Sequence, residues 1–248
     1  MNRGFFNSSW AKSPTWYNLA KLSMADDSQA EKVTHWNGLS ISAKVILARD
    51  TNDATYLMLA LGKEENYLVR EAAAGNGNAT PEVLLKALRD DRLDVSRAAA
   101  RNESATPEVL MKALEDYAPE VRWAAARNRK ATPEVLLKAL RDDRPDVRKA
   151  AARNERATPE VLMKALQDEE YVSVRKAAAG NGRATPEVLL KAVEDDHPDV
   201  RFYAAWNKNA TAEVKTKYGL RYYFEMGRFP EGSLITPAAI SALVRDQR

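Results

Sequence analysis

Six asparagines, Asn76, Asn102, Asn128, Asn154, Asn181 and Asn207, stand 26, 26, 26, 27 and 26 residues apart. Each ends a near-copy of one stretch, clearest over residues 132–154, TPEVLLKALRDDRPDVRKAAARN. A fixed period in this range marks an array of stacked structural units. Such an array folds by contact between neighbours, without a single central core. The feature predicts an all-α chain of helix pairs and biases function towards holding a partner along an extended surface.

One repeat can be read physically. Thr132 followed by Pro133 is a helix start: the threonine hydroxyl accepts a backbone N–H and proline suits the first helical position. Glu134 complements the positive end of the helix. Val135, Leu136, Ala139 and Leu140 share one side, which Leu137 widens into a broad apolar arc suited to a helix held between neighbours. Asp142-Asp143-Arg144-Pro145 breaks the helix. In a second short helix, Val147, Ala150, Ala151 and Asn154 fall on one side, with Lys149 and Arg153 opposite. Isolated helices below ~12–15 residues are marginal in water, so stacking must stabilise both. Asn154 closes the second helix, where a left-handed residue is expected. Its inward side chain is expected to bond the next loop, which makes the asparagine row a structural ladder.

Composition narrows the function. The 248 residues include no cysteine, which excludes disulfides, thiolate metal sites and cysteine nucleophiles. A net charge of +3 carries no argument about partners. The N-terminus lacks an apolar stretch of signal-peptide length, and no apolar run reaches the roughly 18 residues of a membrane helix. The expected setting is soluble and cytoplasmic, with no membrane contact.

The pairing of TPE-V-LL-KAL with DVR-AAARN resembles the leucine-rich repeat variant family, over Ala43 to about Lys217 and some seven units. The resemblance implies a right-handed α-solenoid of paired short helices, one of each pair α or 3₁₀. It is more distantly similar to HEAT repeats. Some members of the family carry a cysteine-ligated iron–sulfur cluster ahead of the repeats. A chain without cysteine does not share it, and no cofactor is expected. The family implies a scaffold, not an enzyme.

Both ends depart from the repeat. Residues 1–42 hold Trp10, Trp16, Tyr17 and Trp36 without a period and read as an N-terminal helical cap, ahead of repeats over 43–217. Ala43–Asp50 imitates a second helix, and Leu57, Met58, Leu59 and Leu61 stand for the first helix of the next unit. Residues 218–248 read as a C-terminal cap of basic, aromatic character, with one last helix expected from Thr236 to near Asp246. Arrays need such atypical ends to cover their terminal apolar faces.

Repeats also allow comparison within one molecule: constant positions are structural, whereas varying outward positions are free to serve a partner. Arg70, Arg122, Arg148, Arg175 and Arg201 recur after a valine, with Ser96 the exception, and carboxylates precede at Asp94, Glu120, Asp146 and Asp199. These are expected to form an Arg/acid ladder between units, with exposed pairs contributing ~0–1 kcal/mol each. The outward rows of the second helices vary. One reads Glu71, Arg97, Trp123, Lys149, Lys176, Phe202; the next reads Gly75, Arg101, Arg127, Arg153, Gly180, Trp206. Exposed large rings beside cations suggest a binding surface. The candidate residues are Arg97, Arg101, Trp123, Arg127, Lys149, Arg153, Lys176, Phe202 and Trp206, with a partner protein as the leading ligand. The alternatives are a nucleic-acid backbone, with arginines on phosphates and rings on bases, and a merely solvated face.

No catalytic constellation is present. His35 and His197 are the only histidines, and His197 reads as an incidental loop residue. Gly75-Asn76-Gly77 and Gly180-Asn181-Gly182 resemble phosphate loops but fall at helix-end turns. The one enzymatic alternative is a HEAT-like DNA glycosylase. Its required carboxylate would be Glu71, near Arg97 and Trp123.

Overall fold

The computed structural model describes residues 29–62 and 65–226. Every regular element among them is an α-helix. In chain order these are α1 (Gln29–Asn37), α2 (Ile41–Asp50), α3 (Ala54–Ala60), α4 (Tyr67–Ala74), α5 (Pro81–Ala87), α6 (Leu93–Arg101), α7 (Pro107–Ala113) and α8 (Pro119–Arg127). They continue with α9 (Pro133–Ala139), α10 (Pro145–Arg153), α11 (Pro159–Ala165), α12 (Val172–Ala179), α13 (Pro186–Ala192), α14 (Pro198–Ala205) and α15 (Ala212–Met226). The chain divides into two compact units, Met1–Ala150 and Ala151–Arg248. None of the described helices is long and apolar enough to cross a membrane. The helix expected near Thr236–Asp246, and Trp10, Trp16 and Tyr17, lie outside the described residues.

Two layers build each unit. In the first unit, α3 packs on α1 and on α5, α5 on α7, and α7 on α9, while α2, α4, α6 and α8 pack in sequence as a second layer. In the second unit, α11, α13 and α15 form the first layer, and α12 and α14 the second. This is the α-solenoid arrangement, helix pair on helix pair. Both members of each pair are α-helical, which settles the choice left between α and 3₁₀.

First-layer helices begin as the Thr-Pro pattern predicts. Thr80, Thr106, Thr132, Thr158 and Thr185 are extended N-caps whose hydroxyls accept the N–H three residues on. Asp53 takes this role for α3, which lacks Thr-Pro. Leu84, Leu110, Leu136, Leu162 and Leu189 are fully buried between layers. In the second layer Ala99, Ala100, Ala125, Ala178 and Ala204 are buried, and their short side chains let helices approach closely.

The asparagine ladder exists and reaches both ways: the carboxamide oxygen bonds the loop that follows, as expected, and the nitrogen reaches back to the preceding repeat. Asn102 donates its carboxamide to Ala74 O and Asn76 O of the preceding repeat, at 2.8 Å each. Its Oδ1 accepts the Ser104 N–H at 2.7 Å. Asn76, Asn128, Asn181 and Asn207 repeat the pattern on the turn before their own. The left-handed region is not used: Asn102 has φ −60° and ψ 133°. The extended backbone lets the side chain fold back over the previous turn while pinning its own loop. Gly75 and Gly180 are right-handed as well. Gly180 lies tightly against the next repeat: a Cβ there would approach Tyr203 Cδ1 to 3.0 Å, so that ring would have to give slightly.

The arginine ladder uses a different acid from the one expected. Arg70, Arg122 and Arg175 each pair with the first loop aspartate 20 residues on, namely Asp90, Asp142 and Asp195, at 2.7 Å. Two of the carboxylates expected there are engaged elsewhere, Asp94 by Arg97 and Asp199 by Lys176. The ladder pairs are also not exposed: side-chain exposure is 12% for Arg122 and 6% for Asp142. Asp142 Oδ1 further accepts the Arg144 N–H at 2.9 Å. Arg122 Nη1 meanwhile donates to Asp116 O and Tyr117 O. Each guanidinium therefore ties its own loop to the next one.

At the N-terminal end Trp36 is buried against Tyr56, with ring centroids 6.3 Å apart. Its Nε1 donates to Glu65 Oε1 at 2.7 Å, and Lys44 Nζ reaches the same oxygen.

Candidate functional site

In the first unit the candidate surface centres on Trp123, projected by α8. Its neighbours Val121, Ala124 and Ala125 are buried against the layers, which leaves this side turned outward. Arg101, ending α6, and Arg127, ending α8, place their guanidinium carbons 5.6 and 5.1 Å from the ring centroid. Two cations therefore lie over the indole, which is half-buried, whereas Arg101 and Arg127 are exposed. A hollow of ≈ 320 Å³ opens beside it, lined by Arg97, Arg101, Pro119, Glu120, Trp123, Arg144, Asp146 and Val147. A second, of ≈ 240 Å³, lies between Arg101, Trp123 and Arg127. Glu71, the carboxylate the glycosylase reading requires, lines neither.

The surface is less basic than its cation rows suggest. Arg97 is bound to Asp94 of its own helix at 2.7 Å. Glu120 and Asp146 line the larger hollow. Lys149 and Arg153 both lie on α10, Lys149 half-exposed in the first unit and Arg153 exposed in the second.

In the second unit the candidates cluster on α14. Phe202 and Trp206 stack with centroids 4.7 Å apart and planes 17° from parallel. Tyr218 of α15 meets Trp206 edge-on at 5.5 Å, and Tyr203 meets Phe202 edge-on at 6.0 Å. Lys176 bonds Asp199 at 2.7 Å and sits 5.3 Å from the Tyr203 ring centroid. This lysine holds the Asp199 carboxyl below its ordinary range, by its hydrogen bond first and its charge second. A hollow of ≈ 1000 Å³ is lined by Phe202, Ala205, Trp206, Asn207, Lys208, Lys215, Tyr218 and Gly219.

Tyr203, Tyr218, Lys208 and Lys215 were missed by sequence reasoning. Tyr203 carried a usable signal, since sister repeats hold Ala98, Ala124 and Ala177 at its position. Tyr218 and Lys215 carried none, because the repeat decays there. His197 is not incidental: its Nδ1 accepts the Asp199 N–H at 3.2 Å and caps α14.

A solved structure described as a leucine-rich repeat variant with a novel repetitive structural motif is similar to this chain. It gives a TM-score of 0.50 at 23% sequence identity, covering 92% of this chain and 80% of that one. The chain has the leucine-rich repeat variant fold. Searches of family models and of curated proteins return no match. At this identity the likeness concerns the stacking of helix pairs in a leucine-rich repeat variant, and the outward residues must be judged on their own chemistry.

Proposed function

We propose that the chain is a non-enzymatic recognition scaffold that binds a partner protein through the cation and aromatic side chains of its second-layer helices. The observation that carries this reading is Trp123, with Arg101 and Arg127 over its ring, beside an open hollow. Two guanidiniums already lie against the indole, so part of its side-chain freedom is spent before any ligand arrives. Trp and Arg are the residue types that most often anchor protein interfaces. A carboxylate of the partner can bridge the arginines while an apolar side chain covers the ring.

A protein is favoured over nucleic acid because acids interleave the cations. Asp94 and Asp199 already bind Arg97 and Lys176, and Glu120 and Asp146 face the hollow. A phosphate backbone would meet those carboxylates along its path, whereas binding of that kind rests on neutralisation by unengaged cations.

The test is capture of partners from nuclease-treated native extract by the wild type and by an Arg101→Glu/Arg127→Glu variant. Both arginines are exposed, so the thermal melt should move little, within about 0.5 kcal/mol. Partner retention should fall at least about tenfold, the loss expected for central anchors. Undiminished capture would remove the proposal. Steeply salt-dependent binding of single- or double-stranded DNA or RNA, lost in the same variant, would transfer the site to nucleic acid. Release of a free base from alkylated DNA would revive the glycosylase.

A further inference from the structure

Among the described residues the second layer has one unused junction, after α14. At five junctions the asparagine closing one second-layer helix donates to two carbonyls of the helix and turn before it, from Ala48 O and Thr51 O to Ala179 O and Asn181 O. The equivalent pair after α14 is Ala205 O and Asn207 O. Among the described residues no side chain takes either. Asn207 O receives the Ala210 N–H at 2.9 Å, as Asn181 O receives the Ala184 N–H at 3.0 Å, but Asn181 O holds a carboxamide in addition. The helix that follows, α15, packs on α13 and α14 in the first-layer position.

The side chains around this junction point the same way. One repeat earlier, Lys176 and Gly180 face the next second-layer helix. Lys176 bonds its Asp199, and a Cβ on Gly180 would touch its Tyr203. Phe202 and Trp206 occupy the corresponding positions on α14, where no second-layer helix follows among the described residues, and Trp206 is 67% exposed. Ala205 and Asn207, which own the open carbonyls, line the ≈ 1000 Å³ hollow together with Phe202, Trp206, Lys208 and Lys215.

We infer that the outer face of α14 is a docking slot for one helix of a partner protein, which extends the second layer by one member. The slot specifies the chemistry of that helix. Its contact side carries short residues, as the alanine-rich inner helices do. An Asn or Gln near its C-terminal end donates to Ala205 O and Asn207 O. An apolar residue covers the Phe202–Trp206 stack, and acids lie opposite Lys208 and Lys215. The inference shares the protein-binding reading above but rests on α14 rather than on the Trp123 hollow that carries that reading, so each can fail without the other.

The probe is a fluorescent, hydrocarbon-stapled peptide copying Leu93–Asn102, α6 with its C-cap, whose own Asn102 makes the bonds in question. Staples replace the helix stability that so short a segment lacks. Anisotropy titration against the full chain should give saturable binding. It should weaken roughly tenfold when the peptide's asparagine is changed to alanine, within the range for a lost pair of hydrogen bonds. Phe202→Ala/Trp206→Ala in the full chain should abolish it, whereas Arg101→Glu/Arg127→Glu should leave it unchanged. Circular dichroism confirms that each variant is folded. Absence of binding, or binding indifferent to the peptide asparagine, would overturn the inference. Binding only by a chain lacking residues 227–248 would also overturn it, by showing that the chain's own terminus fills the slot.

Discussion

Asn102 engages its whole carboxamide: the nitrogen serves two carbonyls of the previous turn and the oxygen serves its own loop. Asn102→Ala leaves these groups buried without partners, at about 3 kcal/mol. Asn102→Asp is the sharper test. A carboxylate there faces two carbonyl oxygens, so the folded state favours its protonated form and its folded pKa rises above the unfolded value. The native state then binds the extra proton, and stability relative to wild type recovers as pH falls through the raised pKa. Denaturant titrations at pH 7 and pH 4.5 should show the gap narrowing; a constant gap would contradict the ladder. Ser96 offers the opposite experiment. It interrupts the arginine row, yet Asp116 already accepts the Ala118 N–H just as Asp142 accepts that of Arg144. Ser96→Arg should therefore complete the row and raise stability by about 1 kcal/mol, seen as a higher melting temperature. The spacing of the asparagines was visible in the sequence. The backward half of their bonding was not, because a period of 26 is identical read forwards or backwards along the stack.

Helices and loops divide the work of joining repeats. The apolar and alanine faces supply burial, and the loop aspartates set the junction. Burial pushes the Asp142 carboxyl up, but the hydrogen bonds from Arg122 and the Arg144 N–H outweigh it, and its pKa lies below the ordinary value. A depressed folded pKa gives stability that is complete above the unfolded value of 3.8 and is lost as pH falls through the folded one. Asp142→Asn should cost roughly 1–3 kcal/mol at neutral pH and flatten the acid limb of the stability curve below about pH 4. A parallel acid limb in the variant would assign that limb to other carboxylates. Thr-Pro starts and Pro-Asp breaks made both helices of each pair legible in the sequence. The acid that meets Arg122 was misjudged, because a helical wheel shows which side a residue takes but not how far a long guanidinium reaches across the junction.

Within each unit, α2 to α9 and α11 to α15 each pack on a sequence neighbour and on the corresponding helix one repeat away. Damage should therefore remain local. Leu110 is fully buried in α7, and Leu110→Ala should cost about 3 kcal/mol. Hydrogen exchange should quicken in α5 to α9 more than in α2 and α3, since stability in such arrays is a sum of neighbouring terms. Uniform loss of protection across the first unit would argue for a single cooperative core. The array was readable from repetition alone. The aromatic end was not, because there the repeat degenerates and neighbours in space, such as Trp206 and Tyr218, share no sequence rule. One irregularity bears on how such a chain changes over time. The single 27-residue interval is absorbed between α11 and α12, where Asp168 Oδ1 accepts the N–H of Tyr171, three residues on, instead of two as at Asp142. Asn181 still reaches Ala152 O and Asn154 O. One extra residue at this bend thus leaves the next rung unchanged, so this loop can lengthen by a residue without disturbing the stack.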